Sequence, residues 1–244
     1  MPESSERGSP GARVWVVLPT YNEAENLERL IAAVRGRLPA SRRVLVVDDN
    51  SPDGTGEIAD RIAAGHDDVR VLHRERKQGL GPAYIAGFRK ALAEGAELII
   101  AMDADFSHDP AYLPQLLRAV ENADLVIGSR YVPGGGVTEW GPLRRFISRG
   151  GSAYSRAALG IEVRDLTGGF KCFRRQVLEA IDLDTINARG YAFQVETTYR
   201  AIGAGFRVLE VPIVFRDRRE GSSKMTKAIV AEAMWRVPAM RLRR

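Results

Sequence analysis

Asp103-Ala104-Asp105 sets two carboxylates, separated by one small residue, directly after the apolar run Leu98 to Met102. Carboxylates in this spacing can share a divalent cation, because Mg²⁺ and Mn²⁺ prefer oxygen ligands and commonly take one or two carboxylates plus substrate phosphates. A D-x-D pair alone is weak, since acidic pairs in loops are more often solvated or turn-forming; its position at a strand end raises it above that reading. A second acidic segment, Asp48-Asp49-Asn50-Ser51-Pro52-Asp53-Gly54-Thr55, follows another apolar run. Asp48 and Asp49 can accept hydrogen bonds from a nucleobase and a ribose and are read as ligand contacts. Ser51 and Asp53 suit a turn and the cap of the next helix. His108 could ligate a metal, but a lone histidine before Asp109-Pro110 fits a helix entry better.

The segments around these loops predict how they are held. Val14 to Leu18, ending in Pro19, reads as a central parallel strand covered on both faces. Leu27, Leu30, Ile31, Val34 and Leu38 then recur at helical spacing. Strand signals return at Val44 to Val47, Val69 to Leu72, Leu98 to Met102 and Asp124 to Ile127, with helices predicted over Thr55 to Ala64, Pro82 to Ala93 and after Pro110. This alternation argues for an α/β fold with one open, mostly parallel sheet and helices on both faces, whose ligands bind beyond the carboxyl ends of the strands. Beyond residue 130 the alternation fades into a Gly-rich loop, Pro133 to Gly136, and a basic helix-like stretch, Leu143 to Leu159. Phe206 to Phe215 reads as one or two late strands, with Pro212 suggesting an edge or a bend.

Composition narrows the function classes. With 244 residues, 45% hydrophobic and 27% charged, the chain is neither disordered nor a multi-span membrane protein. A net charge of +5 is too small to imply nucleic acid, yet it allows anionic ligands or an anionic membrane surface. Cys172 is the single cysteine, so no internal disulfide can form and a reducing cytosol fits. No apolar run approaches the ~20 residues needed to span a bilayer. The first turn, Pro19-Thr20-Tyr21-Asn22-Glu23, has no G-x-G-x-x-G, which argues against a nicotinamide dehydrogenase, and no P-loop pattern occurs. A phosphorelay receiver is a closer rival, because Asp48-Asp49 resembles a receiver's acidic pair. In receivers, however, that pair ends the first strand, whereas here a full strand and helix precede it.

Taken together, VVLPTYNEAENL (Val16 to Leu27), VVDDNSPDGT (Val46 to Thr55) and AMDADFSHDP (Ala101 to Pro110) resemble the inverting nucleotide-sugar glycosyltransferases of the GT-A fold. GSRY (Gly128 to Tyr131), DLTGGFKCF (Asp165 to Phe173), GYAFQVE (Gly190 to Glu196) and DRREGSSKM (Asp217 to Met225) resemble one branch, the polyprenol-phosphate (dolichol-phosphate) mannosyltransferases. The resemblance runs from Arg13 to about Lys227. It implies a single GT-A catalytic domain over 13–227; by composition, residues 1–12 read as a disordered polar tail and 228–244, where many relatives carry transmembrane helices, as a basic amphipathic segment without one.

The resemblance also implies roles. Pro19, Tyr21 and Glu23 would line the nucleotide pocket, and Val47 and Asp49 would contact guanine and ribose. Asp103, Ala104 and Asp105 would hold diphosphate and a Mg²⁺ or Mn²⁺ ion, with Asp105 central to catalysis. Arg130, Arg218 and Lys224 would bind phosphates, a task that suits the planar fork of arginine and the point charge of lysine. Ser107 stands where some relatives carry a glutamine that reaches the metal. The implied reaction moves mannose from GDP-mannose to a polyprenyl monophosphate; a UDP-glucose-dependent relative is the nearest alternative, and a sugar-nucleotide-binding module without catalysis a distant one. Arg144, Arg145 and Arg149 suit an acceptor phosphate, lipid headgroups or solvent. A peripheral position on the cytoplasmic face of a membrane is expected. Contact there would run through Met225, Ile229, Met234, Trp235, Met240 and Leu242 with their neighbouring arginines, or through a separate integral-membrane anchor protein; the same segment equally suits a last helix packed on the domain with a frayed basic end.

Overall fold

In the computed structural model, which describes residues 12–186, 190–216 and 236–241, strands and helices alternate as the sequence predicts through the first half. The order runs β1 (Val14–Thr20), α1 (Leu27–Arg35), β2 (Arg43–Asp48), α2 (Thr55–Gly65), β3 (Val69–His73), α3 (Leu80–Ala93), β4 (Leu98–Ala101), α4 (Leu113–Ala119) and β5 (Leu125–Ser129). It continues through β6 (Gly136–Val137), α5 (Pro142–Leu159), β7 (Lys171–Arg174), α6 (Arg175–Ala180), α7 (Gly190–Gly203), β8 (Val208–Pro212) and β9 (Val214–Phe215).

Seven strands form the main sheet in the order β3-β2-β1-β4-β7-β5-β8, and β6 pairs with β9 in a small second sheet. All main-sheet pairs are parallel except those of β7, which runs antiparallel between β4 and β5. Neither β7 nor the helices α6 and α7 stand out in the hydropathy pattern. The predicted late strands are β8 and β9, and Pro212 ends β8 on the sheet edge, where its missing N–H removes no ladder bond from a central position.

Strand pleating sends alternate residues to opposite faces, so each central strand feeds two cores. Val14, Val16 and Leu18 pack with Val44, Val46, Ile100 and the Leu27, Leu30, Ile31 and Val34 stripe of α1. Trp15 and Val17 pack with Leu45, Val47 and Ile99 against Tyr84 and Phe88 of α3. The approach of α3 is close: a Cβ on Gly87 would lie 2.4 Å from Val17 Cγ1 and 3.0 Å from Val47 Cγ2, so only glycine fits there. Helices thus cover both faces, and the carboxyl ends of β1, β2 and β4 open at one edge.

Helix α5 departs from this pattern. It buries Ser152, Ser155 and Leu159 near its end, while Leu143 and Phe146 in its first turns are 71% and 76% exposed. Helical residues 236–241 pack on the domain: Val237 is fully buried, Met240 packs partly buried against the core, and Arg241 Nη1 donates to the Ala158 carbonyl at 3.3 Å. Met240 is thus partly buried against the core, as the packed-helix reading expects. Met225, Ile229, Met234, Trp235 and Leu242 lie outside the described residues.

Candidate active site

The loops after β1, β2 and β4 converge on a cleft of about 460 Å³. Pro19, Tyr21 and Glu23 come from the first loop, Asp49 from the second, and Asp103, Ala104 and Asp105 from the third; Arg130, directly after β5, closes the opposite wall. These eight expected residues from four chain segments meet in one volume of the size usual for a small-molecule site.

Local hydrogen bonds explain how each is held. Asn22 adopts a left-handed backbone (φ 59°) and its N–H donates to Ser51 Oγ, while the Glu23 N–H donates to Thr55 Oγ1 at 2.9 Å, so the first two loops brace each other. Asp53 serves the turn, as expected: Oδ1 accepts the Thr55 N–H at 3.1 Å and Oδ2 the Ala24 N–H at 3.1 Å. Lys77 Nζ sits 3.7 Å from the Tyr21 ring centroid, placing a cation beside the first loop in the cleft wall. Asp49 accepts from Arg74 Nη1 at 2.5 Å and from the Gln78 N–H at 3.3 Å, which fixes a carboxylate that also faces the cleft.

One expectation needs correction. Asp48 is turned away from the cleft: it is 2% exposed, and its carboxylate accepts from Thr20 Oγ1 at 3.1 Å, Ser51 Oγ at 2.5 Å and the Ser51 N–H at 3.1 Å. It ties the loops together and is not a ligand contact. Val47 is fully buried against α3, at the end of β2 two residues before the cleft-lining Asp49. Arg218 and Lys224 lie outside the described residues.

At the acidic pair, Tyr84 Oη donates to Asp103 Oδ1 at 2.8 Å, and Asp105 Oδ1 accepts the Ser107 N–H at 3.1 Å. Burial, reinforced by the Asp103 charge, pushes the Tyr84 hydroxyl well above its ordinary pKa, which keeps it a donor. His108 is a structural partner. The Asp103 N–H donates to its Nδ1 at 3.0 Å, its ring stacks on Phe170 at 4.9 Å, and burial holds its pKa below the ordinary value, so it stays neutral. Helix entry falls to Asp109, whose Oδ1 accepts the Ala111 N–H at 2.9 Å. Ser107 Oγ is buried in the cleft wall with no hydrogen-bond partner among the described residues. Two carboxylates and an unpartnered hydroxyl suit a divalent ion that also takes diphosphate oxygens, since the described residues hold no set of three His, Cys, Asp or Glu that would complete a site by themselves.

Across the cleft, Arg130 is locked to Asp165. Nε and Nη2 donate to Oδ2 and Oδ1 at 2.7 and 2.6 Å, and Nη2 also donates to Thr167 Oγ1 at 2.8 Å. The guanidinium carbon stands 5.7 Å from the Trp140 ring centroid and 5.5 Å from that of Phe215, and the Arg144 guanidinium carbon lies 4.4 Å from the same Trp140 ring centroid. The sequence pattern did not single out Trp140, Lys77 or Gln194, all of which line the cleft. Lys77 belongs to a loop expected to matter and Gln194 to the GYAFQVE motif, which gave it no role of its own, whereas Trp140 carries no local signal.

Residues 15–182 match the family described as Glycosyl transferase family 2. The chain is 52% identical to the undecaprenyl-phosphate mannosyltransferase of Micrococcus luteus over 222 residues, covering 91% of each chain. It is 49% identical to the polyprenol monophosphomannose synthase of Mycolicibacterium smegmatis over 230 residues, covering 93% of this chain and 86% of the relative. Among solved structures, glucosyl-3-phosphoglycerate synthase from Mycobacterium tuberculosis, in complex with Mn²⁺, UDP and phosphoglyceric acid, superposes with a TM-score of 0.68 at 22% identity, over 93% of this chain and 79% of that one. At that identity the likeness concerns the fold.

Proposed function

The chain belongs to glycosyl transferase family 2, and from that membership we propose that it moves mannose from GDP-mannose to a polyprenyl monophosphate with inversion, giving β-mannosyl phosphopolyprenol and GDP. Its fold is of the GT-A type, and its close curated relatives are named for mannosyl transfer to polyprenyl phosphates. The observation that carries the reading is the opposition, across one cleft, of the acidic pair Asp103 and Asp105 and the buried, ion-paired Arg130.

In this reading Pro19, Tyr21, Glu23 and Asp49 hold the nucleoside, and Lys77, Arg218 and Lys224 serve the diphosphate. Asp103 and Asp105 would hold Mg²⁺ or Mn²⁺, a Lewis acid that neutralises charge on the departing diphosphate when bound. Arg130 orients the acceptor phosphate, with Arg144 at the cleft mouth. An oxygen of that phosphate attacks the anomeric carbon as the bond from that carbon to the GDP oxygen breaks. The nucleophile carries no proton to remove, because a phosphate monoester with a second pKa of about 6 is largely dianionic near neutral pH. A neutral His108, with Nδ1 already accepting from Asp103 N–H, is not needed as a base. The protein's contribution is to hold two mutually repelling phosphate groups in line.

The acceptor is a lipid, and the first half of α5 supports a peripheral membrane position. Leu143, Phe146 and Ile147 are 71%, 76% and 40% exposed, interleaved with Arg144, Arg145 and Arg149 next to the cleft mouth. Apolar side chains among basic ones suit an anionic leaflet. Among the described residues no helix is long and apolar enough to cross a membrane. We assign the enzyme to the cytoplasmic face of the membrane, with a separate anchor protein as a further proposed partner. Single domain boundaries of 13–227, with flanking segments 1–12 and 228–244, are retained on the same reading. The stereochemistry is tested on the isolated product: a one-bond carbon–proton coupling at the anomeric centre diagnostic of β-mannose is expected, and an α-linkage would refute inversion.

A further inference from the structure

Gln194 lies in the first turns of α7, is 3% exposed and lines the cleft, yet its Nε2 has no hydrogen-bond partner among the described residues. A buried amide donor left unpaired carries a desolvation cost that a bound acceptor would remove. Its surroundings define what that acceptor is. A Cβ on Gly169 would lie 3.3 Å from Gln194 Nε2 and 3.4 Å from His108 Cε1, so the amide and the imidazole flank the same glycine. His108 in turn receives the Asp103 N–H, which connects this spot to the acidic pair. On the neighbouring residue, a Cβ on Gly168 would lie 3.4 Å from Asp165 Cγ, the carboxyl that holds Arg130. The Gln194 amide therefore sits between the two phosphate-binding walls, where the group being transferred must lie.

The backbone of Gln194 is fixed from the sheet. Its carbonyl accepts from Lys171 Nζ at 2.6 Å, Thr197 Oγ1 at 3.1 Å and Thr198 Oγ1 at 3.2 Å, and Lys171 is anchored in the central strand β7. The side chain is uncharged and, being an amide, can donate a hydrogen bond without bringing a charge to its acceptor. A carboxamide donor suits a hydroxyl, whereas the cations Lys77, Arg130 and Arg144 of the same cleft suit phosphates.

We infer that the Gln194 side-chain amide binds a hydroxyl group of the hexose being transferred, at a subsite floored by Gly168 and Gly169. This rests on the reading of the cleft as a sugar-nucleotide site. The test compares affinities of the full chain for GDP-mannose and for GDP, with Mg²⁺ present, by titration calorimetry. Gln194→Ala, and the near-isosteric Gln194→Met as a second variant, should weaken GDP-mannose binding about tenfold while GDP binding stays within about twofold. Retained GDP binding also reports an intact fold. Equal losses for both ligands, or unchanged affinity for GDP-mannose, would overturn the inference. A wild-type chain that binds UDP-glucose and not GDP-mannose would overturn the donor assignment instead; a selective loss for UDP-glucose over UDP in the variants would then uphold the hexose contact.

Discussion

The Asp165 carboxylate accepts three N–H groups of Arg130: the backbone N–H at 2.9 Å, Nε at 2.7 Å and Nη2 at 2.6 Å. Asp165 is fully buried, and its own N–H and that of Arg164 donate to Glu210 at 2.8 and 2.7 Å. The arginine is thereby aimed before any ligand arrives, which removes an ordering cost from binding. Asp165→Ala should cost about 3–5 kcal/mol of stability, because it leaves a buried guanidinium charge without its partner. In a double-mutant cycle with Arg130→Ala, the two losses should be far from additive by chemical denaturation; additive losses would separate the two residues.

The same pair sets an acid limit. Burial alone would raise the Asp165 pKa, but the charge and hydrogen bonds of Arg130 outweigh it and hold the carboxyl below its ordinary 3.8. A carboxyl with a lowered folded pKa stabilises fully above its unfolded value and loses that contribution as pH falls through the folded one. The stability gap between the wild type and Asp165→Asn should therefore be constant from pH 7 to about 5 and shrink below about 4, read from denaturation midpoints across pH.

At the acidic pair, Asp105→Ala should lower sugar transfer about a hundredfold or more while leaving the circular dichroism spectrum and melting curve near those of the wild type. EDTA should do the same to the wild type, with Mg²⁺ or Mn²⁺ restoring activity. A variant with near-normal turnover would remove Asp105 from the metal site.

On α5, Leu143 and Phe146 are too exposed to contribute much to the core, so the double change Leu143→Ser and Phe146→Ser should leave the melting temperature within about a degree or two. Binding to vesicles containing anionic lipid should fall at least tenfold, given about 1.5–3 kcal/mol for each large apolar side chain removed from water. Binding should also weaken as salt rises. Unchanged vesicle sedimentation would move the membrane contact elsewhere.

Much of this architecture is legible in the chain because β1, β2 and β4 are covered on both faces, and such strands must be continuous apolar runs. The ligand edge follows from their direction, and with it the position of Asp103 and Asp105. Strand β7 is a different case: four residues with a lysine and an arginine at its ends, paired across the sheet to Leu98–Ala101 some seventy positions earlier in the chain. Only tertiary pairing makes it a strand. The adjacent Asp48 and Asp49 show the limit at a single residue. Neighbouring positions at a strand end face opposite ways, and the partners Thr20 and Arg74 that decide which one turns inward come from other loops. Asp165 likewise gains its role from an arginine 35 positions away, and Gln194, though part of a quoted motif, is brought beside Gly169 only by the tertiary fold.

Incorporation of radiolabelled sugar into organic-extractable lipid, with a polyprenyl monophosphate acceptor and either GDP-mannose or UDP-glucose as donor, in Mg²⁺ or in EDTA, tests the central claim most directly. Label appearing in the lipid from GDP-mannose in Mg²⁺, and absent in EDTA and with UDP-glucose, is the predicted result. Label from UDP-glucose alone, or no lipid label from either donor with folded protein and acceptor present, would contradict it.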